Sequence, residues 1–391
     1  MNQGVEINRE KETTLTGGRK KLLFLVTEDW YFCSHRLPPA RAAKEAGYEV
    51  VVATHIEKKS AEIQAEGFRV VPIGLRRGSR NPIRELAAII ELVFLYKRER
   101  PDVVHHVAIK PVLYGSFAAL IVGRIGIVNA LAGLGFLYTS SGRLVGFVRR
   151  VVSHFFRVIL NFRHSVLILQ NPDDVTMFIS KGLIEPSRIR LIRGSGVDIN
   201  RFYSMKEPDG APVVLLASRM LWNKGVKEFF AAAKFLRDRG STARFVLVGD
   251  GDVDNPESIS DEQLKTWNES GVVEWWGRCE DMPAVFMKSS IVCLPSYREG
   301  VPKVLLEAAA CAKVIIATDV PGCREIVLNR ETGLLVPVRD SKGLAEAIEL
   351  LLNNPSMRVK MGQKGRELVE QSFSESIVAE STLNIYREFD A

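Results

Sequence analysis

Short β-branched runs alternate with longer helix-forming stretches along almost the whole of this 391-residue chain, and that alternation leaves few folds open. Runs at Lys21–Val26, Tyr48–Ala53, Phe68–Pro72, Val103–His106, Ile127–Leu131 and Val166–Leu169 have the length of buried strands. Helices are predicted at His35–Ala46, Pro82–Arg98, Val112–Gly123, Leu144–Phe162 and Asp173–Lys181, with Thr27–Ser34 read as a loop. A second series places strands at Val213–Ala217, Arg244–Val248, Val272–Trp275, Ser290–Leu294 and Val314–Ala317. Its helices are Val226–Arg239, Lys303–Cys311, Ser341–Leu352 and Pro355–Glu370. Strands that alternate with helices of this size form parallel sheets wound on both faces. The chain also exceeds one ordinary core.

The prediction is therefore an α/β protein of two Rossmann-like lobes facing each other. The alternation breaks near Ile199–Pro212, where proline and charged residues intervene. We place a polar, disordered tail at 1–18, lobes at 19–203 and 204–372, and a helix at 373–391 that can cross back to the first lobe.

Composition narrows the class. The five cysteines show no CxxC spacing, which fits neither a zinc site nor a disulfide framework, so a reducing compartment is expected. Met1–Lys21 is polar and charged, unlike a signal peptide, and no uninterrupted apolar run is long enough to span a membrane. The net charge of +7 matters through its placement. No acidic residue lies between Asp102 and Asp173, an interval holding Lys110, Arg124, Arg143, Arg149, Arg150, Arg157 and Arg163. Such a region suits an anionic partner: nucleic acid, an anionic membrane or a diphosphate-bearing lipid. On a helical wheel, Arg143, Arg150, His154 and Arg157 form one stripe of the Leu144–Phe162 helix. Val148, Val152, Phe155, Ile159 and Phe162 fall opposite, and Phe147 and Phe156 flank the charged side. An ordinary surface helix would show this pattern, as would one resting on lipid headgroups.

The most informative stretch is Pro295–Ala308, where a buried strand meets the start of a helix. In an open parallel sheet that junction faces the ligand crevice, and the free amides of a helix start favour anions. Glu299 and Glu307 flank the junction. Either they are solvated acids, or they accept hydrogen bonds from sugar hydroxyls, since a carboxylate only accepts. A nucleotide sugar offers both an anion and hydroxyls. Arg219 and Lys224, after the Val213 strand, would form a diphosphate clamp on the same side. In the first half, Glu28–Arg36 and Ala132–Phe136 follow strands and lie on the ligand side, while His105, His106 and Lys110 sit at a strand end.

Taken in order, SRMLWNKG, VGDG, PSYREGVPKVLLEA, TDVPGCREIV and TGLLVP resemble the retaining glycosyltransferases of family 4, which have the GT-B fold. In the first half, SHRLP, KPVLYG, AGLGF, QNPDD and RGSGVD resemble the bacterial branch that builds O-antigen, capsule or N-linked glycans on undecaprenyl diphosphate. The resemblance implies transfer of a hexose or N-acetylated hexosamine from a UDP-sugar to a polyprenyl-diphosphate-linked saccharide. It implies that Arg219 and Lys224 bind the donor diphosphate, Glu299 the donor sugar and Glu307 the ribose. Gly300, Val301, Pro302 and Lys303 would approach phosphate and sugar, with Gly249, Arg278 and Ser195 completing the donor pocket. The acceptor would lie near His35, His106, Lys110, Gly133 and Gly135. Neither metal nor cofactor is implied, and no nucleic-acid partner. Arg143, Arg150 and Arg157 would rest on the anionic inner face of the cell membrane, the protein being cytoplasmic and peripheral. Two departures stand out: Ala132 replaces a histidine many relatives carry, and Ala312-Lys313-Val314 replaces their Gly-x-Pro. The rival readings are a nucleotide-sugar epimerase and a non-catalytic nucleotide-sugar scaffold.

Overall fold

The computed structural model describes residues 19–79, 81–131, 143–252 and 255–390. Its N-terminal sheet is parallel, with the order β3-β2-β1-β4-β5-β6-β7. These strands are β1 Lys21–Glu28, β2 Glu49–His55, β3 Arg69–Pro72, β4 Val103–Val107, β5 Gly126–Leu131, β6 Ser165–Leu169 and β7 Ile189–Leu191. The C-terminal sheet, also parallel, has the order β10-β9-β8-β11-β12-β13. Its strands are β8 Val213–Ala217, β9 Arg244–Val248, β10 Glu274–Trp275, β11 Ile291–Leu294, β12 Val314–Thr318 and β13 Gly333–Val336. In each sheet the chain reverses its direction of winding once, between β1 and β4 and between β8 and β11. Ligands bind in parallel sheets at such points, outside the strand carboxyl ends.

The predicted strands form, with β10 shortened to two residues and β7 and β13 unforeseen. One stretch differs in kind. Thr27–Ser34, read as a loop, continues β1 to Glu28 and then forms helix α1, Asp29–His35, followed by α2, Leu37–Glu45. Asp29 is buried, and its Oδ2 accepts from the amides of Glu57, Lys58 and Lys59 at 2.9, 3.0 and 2.8 Å. Phe32 lies in the core against Phe24. Tertiary anchoring thus makes a helix from residues with little intrinsic preference for one.

Helices cover both faces of the N-terminal sheet. On one face Leu23 and Leu25 meet α4, Pro82–Glu99, and α5, Ile109–Val122. Beyond α5 the same side carries α6, Arg143–Ile159, and α7, Pro172–Ser180, around Phe156, Leu160 and Phe178. The other face packs Leu22 and Phe24 against α2 and the last helix of the chain. The wheel of α6 is thereby turned from its expected setting. Phe156, expected beside the charges, is fully buried, whereas Val148 and Phe155, expected to cover the sheet, are exposed. The sequence sets the width of the apolar arc; contact with α7 selects which part of it is covered.

The C-terminal lobe interleaves α8 Val226–Asp238, α9 Asp261–Glu269, α10 Met282–Met287, α11 Lys303–Ala310, α12 Ser341–Leu352 and α13 Pro355–Ser372 with its sheet. Where relatives carry Gly-x-Pro, Ala312 takes a positive φ of 55°, a conformation that disfavours a side chain. The chain then returns. The last helix, α14, Glu375–Arg387, places Val378, Leu383 and Tyr386 in the N-terminal core. The two interlobe crossings run side by side: Val197 donates to Phe373 O and accepts from Glu375 N, both at 3.0 Å.

Tyr386 Oη lies 2.6 Å from Nδ1 of buried His105, 281 residues away in the chain. Removing one partner leaves a buried polar group without its hydrogen bond, at a cost of about 1–3 kcal/mol. We expect Tyr386→Phe to lower the stability of the N-terminal lobe by that amount in urea titration. A midpoint equal to that of the unaltered protein would contradict the docking of α14.

Candidate functional site

Two loops of the C-terminal lobe are joined to each other. The first follows β8 and contains Arg219, a turn of 3-10 helix at Trp222–Lys224, and Gly225. The second, Pro295–Pro302, links β11 to α11. Gly225 has a φ of 73°, and a Cβ there would lie 2.1 Å from Pro295 O, so no other residue permits this approach. The amide of Tyr297 donates to Asn223 O at 2.9 Å, and its hydroxyl to Glu228 at 2.8 Å. On the far side Gly322, at φ 79°, lies directly against Gly300 O. Held this way, Lys224 Nζ meets Glu299 Oε1 at 2.5 Å, with both side chains largely buried. Three buried side-chain atoms of these loops, Asn223 Oδ1, Ser296 Oγ and Arg298 Nε, have no hydrogen-bond partner among the described residues. The loops therefore hold polar capacity beyond what their own fold uses.

The N-terminal lobe grips the second loop. Asn171, the N-cap of α7, donates from Nδ2 to Gly300 O at 3.2 Å and to Asp174 at 3.0 Å. Asp174 is also paired with Arg298. Gly194 packs on Val301 and Leu306, beside buried Ser195. Lys303 donates to Ser34 O at the end of α1. His35 closes α1, stacked on Tyr31 at 4.1 Å and 2.6 Å from Ser34 Oγ. Burial, then the positive charge of Lys303, pushes the His35 imidazole down to about 3, so it is neutral at physiological pH.

Arg219 completes the facing pair of surfaces. Its Nη1 lies 2.6 Å from Asp252 Oδ2, and Arg77 of the N-terminal lobe reaches Asp252 Oδ1 at 2.8 Å. Arg77 also pairs with Glu28 at 3.2 Å. Burial opposes ionisation of Asp252, but Arg219 and Arg77 outweigh it and hold the carboxyl below its usual range. The charge of Arg219 adds to the groups that disfavour protonation of His35.

One turn into α11, Glu307 is pushed up to about 7 by burial, against the pull of Lys303 and Arg201. Gly249, at φ 129°, touches Ser218 O and so supports the Arg219 loop. Arg278 is exposed beyond β10, next to Gly277, whose carbonyl accepts from Gly249 N at 2.8 Å.

The structure thus joins Lys224, Glu299, Gly300, Val301, Pro302 and Lys303 to His35, with Arg219, Glu307 and Ser195 adjoining. It corrects the reading of His106. That ring is fully buried in β4, 2.9 Å from both Tyr96 Oη and Asn129 Oδ1, and is a core histidine with no face toward a ligand. Lys110 is engaged by Glu85 at 3.0 Å and by the carbonyls of Arg76 and Ser79. Gly133 and Gly135 lie outside the described residues. Asn171, Asp174, Arg298, Asp252 and Arg77 went unassigned in the sequence. QNPDD marked the first two as a motif; the others pair only in three dimensions. Among the described residues no cluster of three or more metal-ligating side chains occurs.

Two Rossmann-like lobes with their switch points turned toward each other are the architecture of GT-B glycosyltransferases. Comparison with known proteins agrees in both halves. Residues 200–368 match the family described as glycosyl transferases group 1, and residues 21–171 the family described as glycosyl transferase 4-like. The N,N'-diacetylbacillosaminyl-diphospho-undecaprenol alpha-1,3-N-acetylgalactosaminyltransferase of Campylobacter jejuni is 31% identical over 367 residues, spanning 90% of this chain and 94% of that protein. Among solved structures, sucrose-phosphate synthase from Thermosynechococcus elongatus superposes with a TM-score of 0.77 at 20% identity, over 95% of this chain and 99% of that one. Anabaena HepE in complex with UDP-glucose gives 0.74 at 19% identity, over 95% and 99%. The chain belongs to the group 1 glycosyltransferases.

The Glu307 carboxyl binds its proton more tightly in the folded state than an ordinary glutamate with a value of 4.5. Its support for the fold is therefore full below that value and is lost as pH rises through about 7. We expect Glu307→Gln to leave the melting temperature unchanged at pH 4.5, and to raise stability at pH 8 by on the order of 2 kcal/mol, after discounting for partial exposure. A thermal-shift difference independent of pH would contradict this.

Proposed function

We propose that the chain transfers a sugar, with retention of anomeric configuration, from a UDP-sugar to a polyprenyl-diphosphate-linked saccharide during cell-surface glycan assembly. The observation that carries the reading is the Lys224–Glu299 pair at the β8/β11 switch point, beside the helix start whose Lys303 bonds to Ser34 O of the other lobe. The donor diphosphate would lie between Lys224 and Arg219, with the Pro302–Lys303 helix start beside it. Glu299 would hold the sugar hydroxyls and Glu307 the ribose.

The bond from the anomeric carbon to the β-phosphate oxygen breaks as the acceptor oxygen attacks from the same face. The acceptor's proton passes to the leaving phosphate. Negative charge grows on the diphosphate in this step, and fixed cations that meet it supply the main stabilisation. Neutral His35 borders the reacting space without adding a charge that would compete for the diphosphate. With Lys224 and Arg219 in this role, neither metal nor cofactor is needed.

The lipid-linked acceptor is supported by the activity that names the Campylobacter relative, and the UDP donor by the ligand of HepE. We further infer attachment to the anionic inner face of the cell membrane through the basic side of α6, at Arg150; the side chain of Arg143 lies outside the described residues. Arg157 contributes less than the sequence suggested, because it donates to the carbonyls of Lys181 and Gly182 at 3.2 Å. No helix among the described residues is long and apolar enough to cross a membrane.

With radiolabelled UDP-sugars and an undecaprenyl-diphosphate-linked amino sugar, Lys224→Ala should slow transfer by about 100-fold or more. Excess EDTA should leave the rate unchanged. Transfer by the variant within a few-fold of the unaltered protein would refute the clamp, and loss of activity in EDTA the metal-free mechanism.

A further inference from the structure

The N-terminal lobe holds a recess of about 640 Å³ between the ends of β2 and β3, at His55, Ile73 and Gly74, and the first turns of α4. It opens at the edge of the interlobe cleft, because the next residue after its lining Arg76 is Arg77, which reaches Asp252. Its acids are already engaged. Glu91 accepts from Gly74 N at 2.9 Å, and Glu85 is held by Lys110 at 3.0 Å and Tyr114 Oη at 2.6 Å. The guanidinium groups of Arg76 and Arg84, by contrast, have no ion-pair partner among the described residues. The recess therefore sets two arginines that no described acid engages beside two acids already held by other groups.

The same helix has an apolar outer stripe. Ile83, Leu86, Ile90 and Phe94 are 79%, 59%, 48% and 67% exposed, at the spacing of one helix face. Alongside, α5 exposes Phe117 and Ile121, and α6 exposes Val148, Val151, Phe155 and Val158. Three neighbouring helices on one side of a sheet thus leave their apolar residues uncovered, which marks an interaction surface. Lys97, Arg100, Arg124 and Arg150 border it, all exposed. A rim of one sign repels a second copy turned face to face, and attracts an anionic lipid surface.

We propose that the α4–α5–α6 face enters the headgroup region of the membrane, and that Arg76 and Arg84 bind the diphosphate of the lipid-linked acceptor. The prenyl chain then lies along Ile83–Phe94, and the saccharide points from the recess toward His35. Guanidinium forks suit phosphate oxygens. This placement rests on the acceptor being a lipid diphosphate, as proposed above.

The test compares the unaltered protein, Arg76→Glu/Arg84→Glu and Ile90→Asp/Phe94→Asp in three assays. These are UDP affinity by calorimetry, co-sedimentation with phosphatidylglycerol vesicles, and kinetics with undecaprenyl-diphosphate-linked or short-chain, water-soluble acceptor. The arginine variant should raise the KM for acceptor by about tenfold or more while leaving UDP affinity unchanged. The apolar variant should lose vesicle binding yet keep its turnover on the short-chain acceptor. An acceptor KM within about twofold in the arginine variant overturns the recess as the diphosphate site, and vesicle binding unmoved in the apolar one overturns the membrane face. So does concentration-dependent self-association that Phe94→Asp abolishes. If the unaltered protein binds UDP but transfers to no lipid-linked acceptor, the acceptor reading itself falls and takes the recess with it. If it transfers and only the arginine variant is silent in effect, the recess alone is wrong.

Discussion

The contact between Lys224 and Glu299 depends on backbone approach before it depends on charge. Gly225 against Pro295 and Gly322 against Gly300 bring three loops closer than any side chain would allow. Only then do an ammonium and a carboxylate at strand ends of the same sheet come within 2.5 Å. Such a pair, largely withdrawn from water, is held in register by Tyr297 and Asn223 rather than by its own attraction. A ligand with an anionic group and hydroxyls can replace each partner for the other without leaving either charge unpaired.

The same logic governs the junction between lobes. Asn171 and Asp174 hold the Arg298–Gly300 segment from the N-terminal side, and Lys303 reaches back to Ser34. Arg219 is already paired with a carboxylate, Asp252, that Arg77 of the opposite lobe shares. A diphosphate arriving at Arg219 would find an internal anion in its place, and Asp252 would keep its second partner when displaced. In the proposed binding mode, donor binding and contact between the lobes would be linked through one aspartate.

Much of this was legible in the sequence, for a physical reason. Parallel strands covered on both faces read as continuous apolar runs, so the strands and the loops at their ends could be placed. Glu299, Lys224 and Arg219 stood out as candidates because they occupy those loops. The same uniformity hid His106: in a strand buried on both sides, nothing in the pattern separates a ligand-facing residue from a core one. Helix α1 was missed because Trp30, Tyr31, Phe32 and Cys33 carry weak helix preference, and the helix is held by Asp29 and Phe32. The setting of α6 was missed because periodicity measures an arc and not its neighbour. Arg77 with Asp252 joins residues far apart in sequence, which no local pattern reports.

In the proposed reaction the donor diphosphate takes over cations now paired with Asp252 and Glu299. A crystal structure with a non-hydrolysable UDP-sugar tests this. Diphosphate oxygens should lie within hydrogen-bond distance of Lys224 Nζ and the Arg219 guanidinium, with Asp252 released from Arg219 and retained by Arg77. A diphosphate bound elsewhere, with the Lys224–Glu299 and Arg219–Asp252 pairs intact, would contradict it.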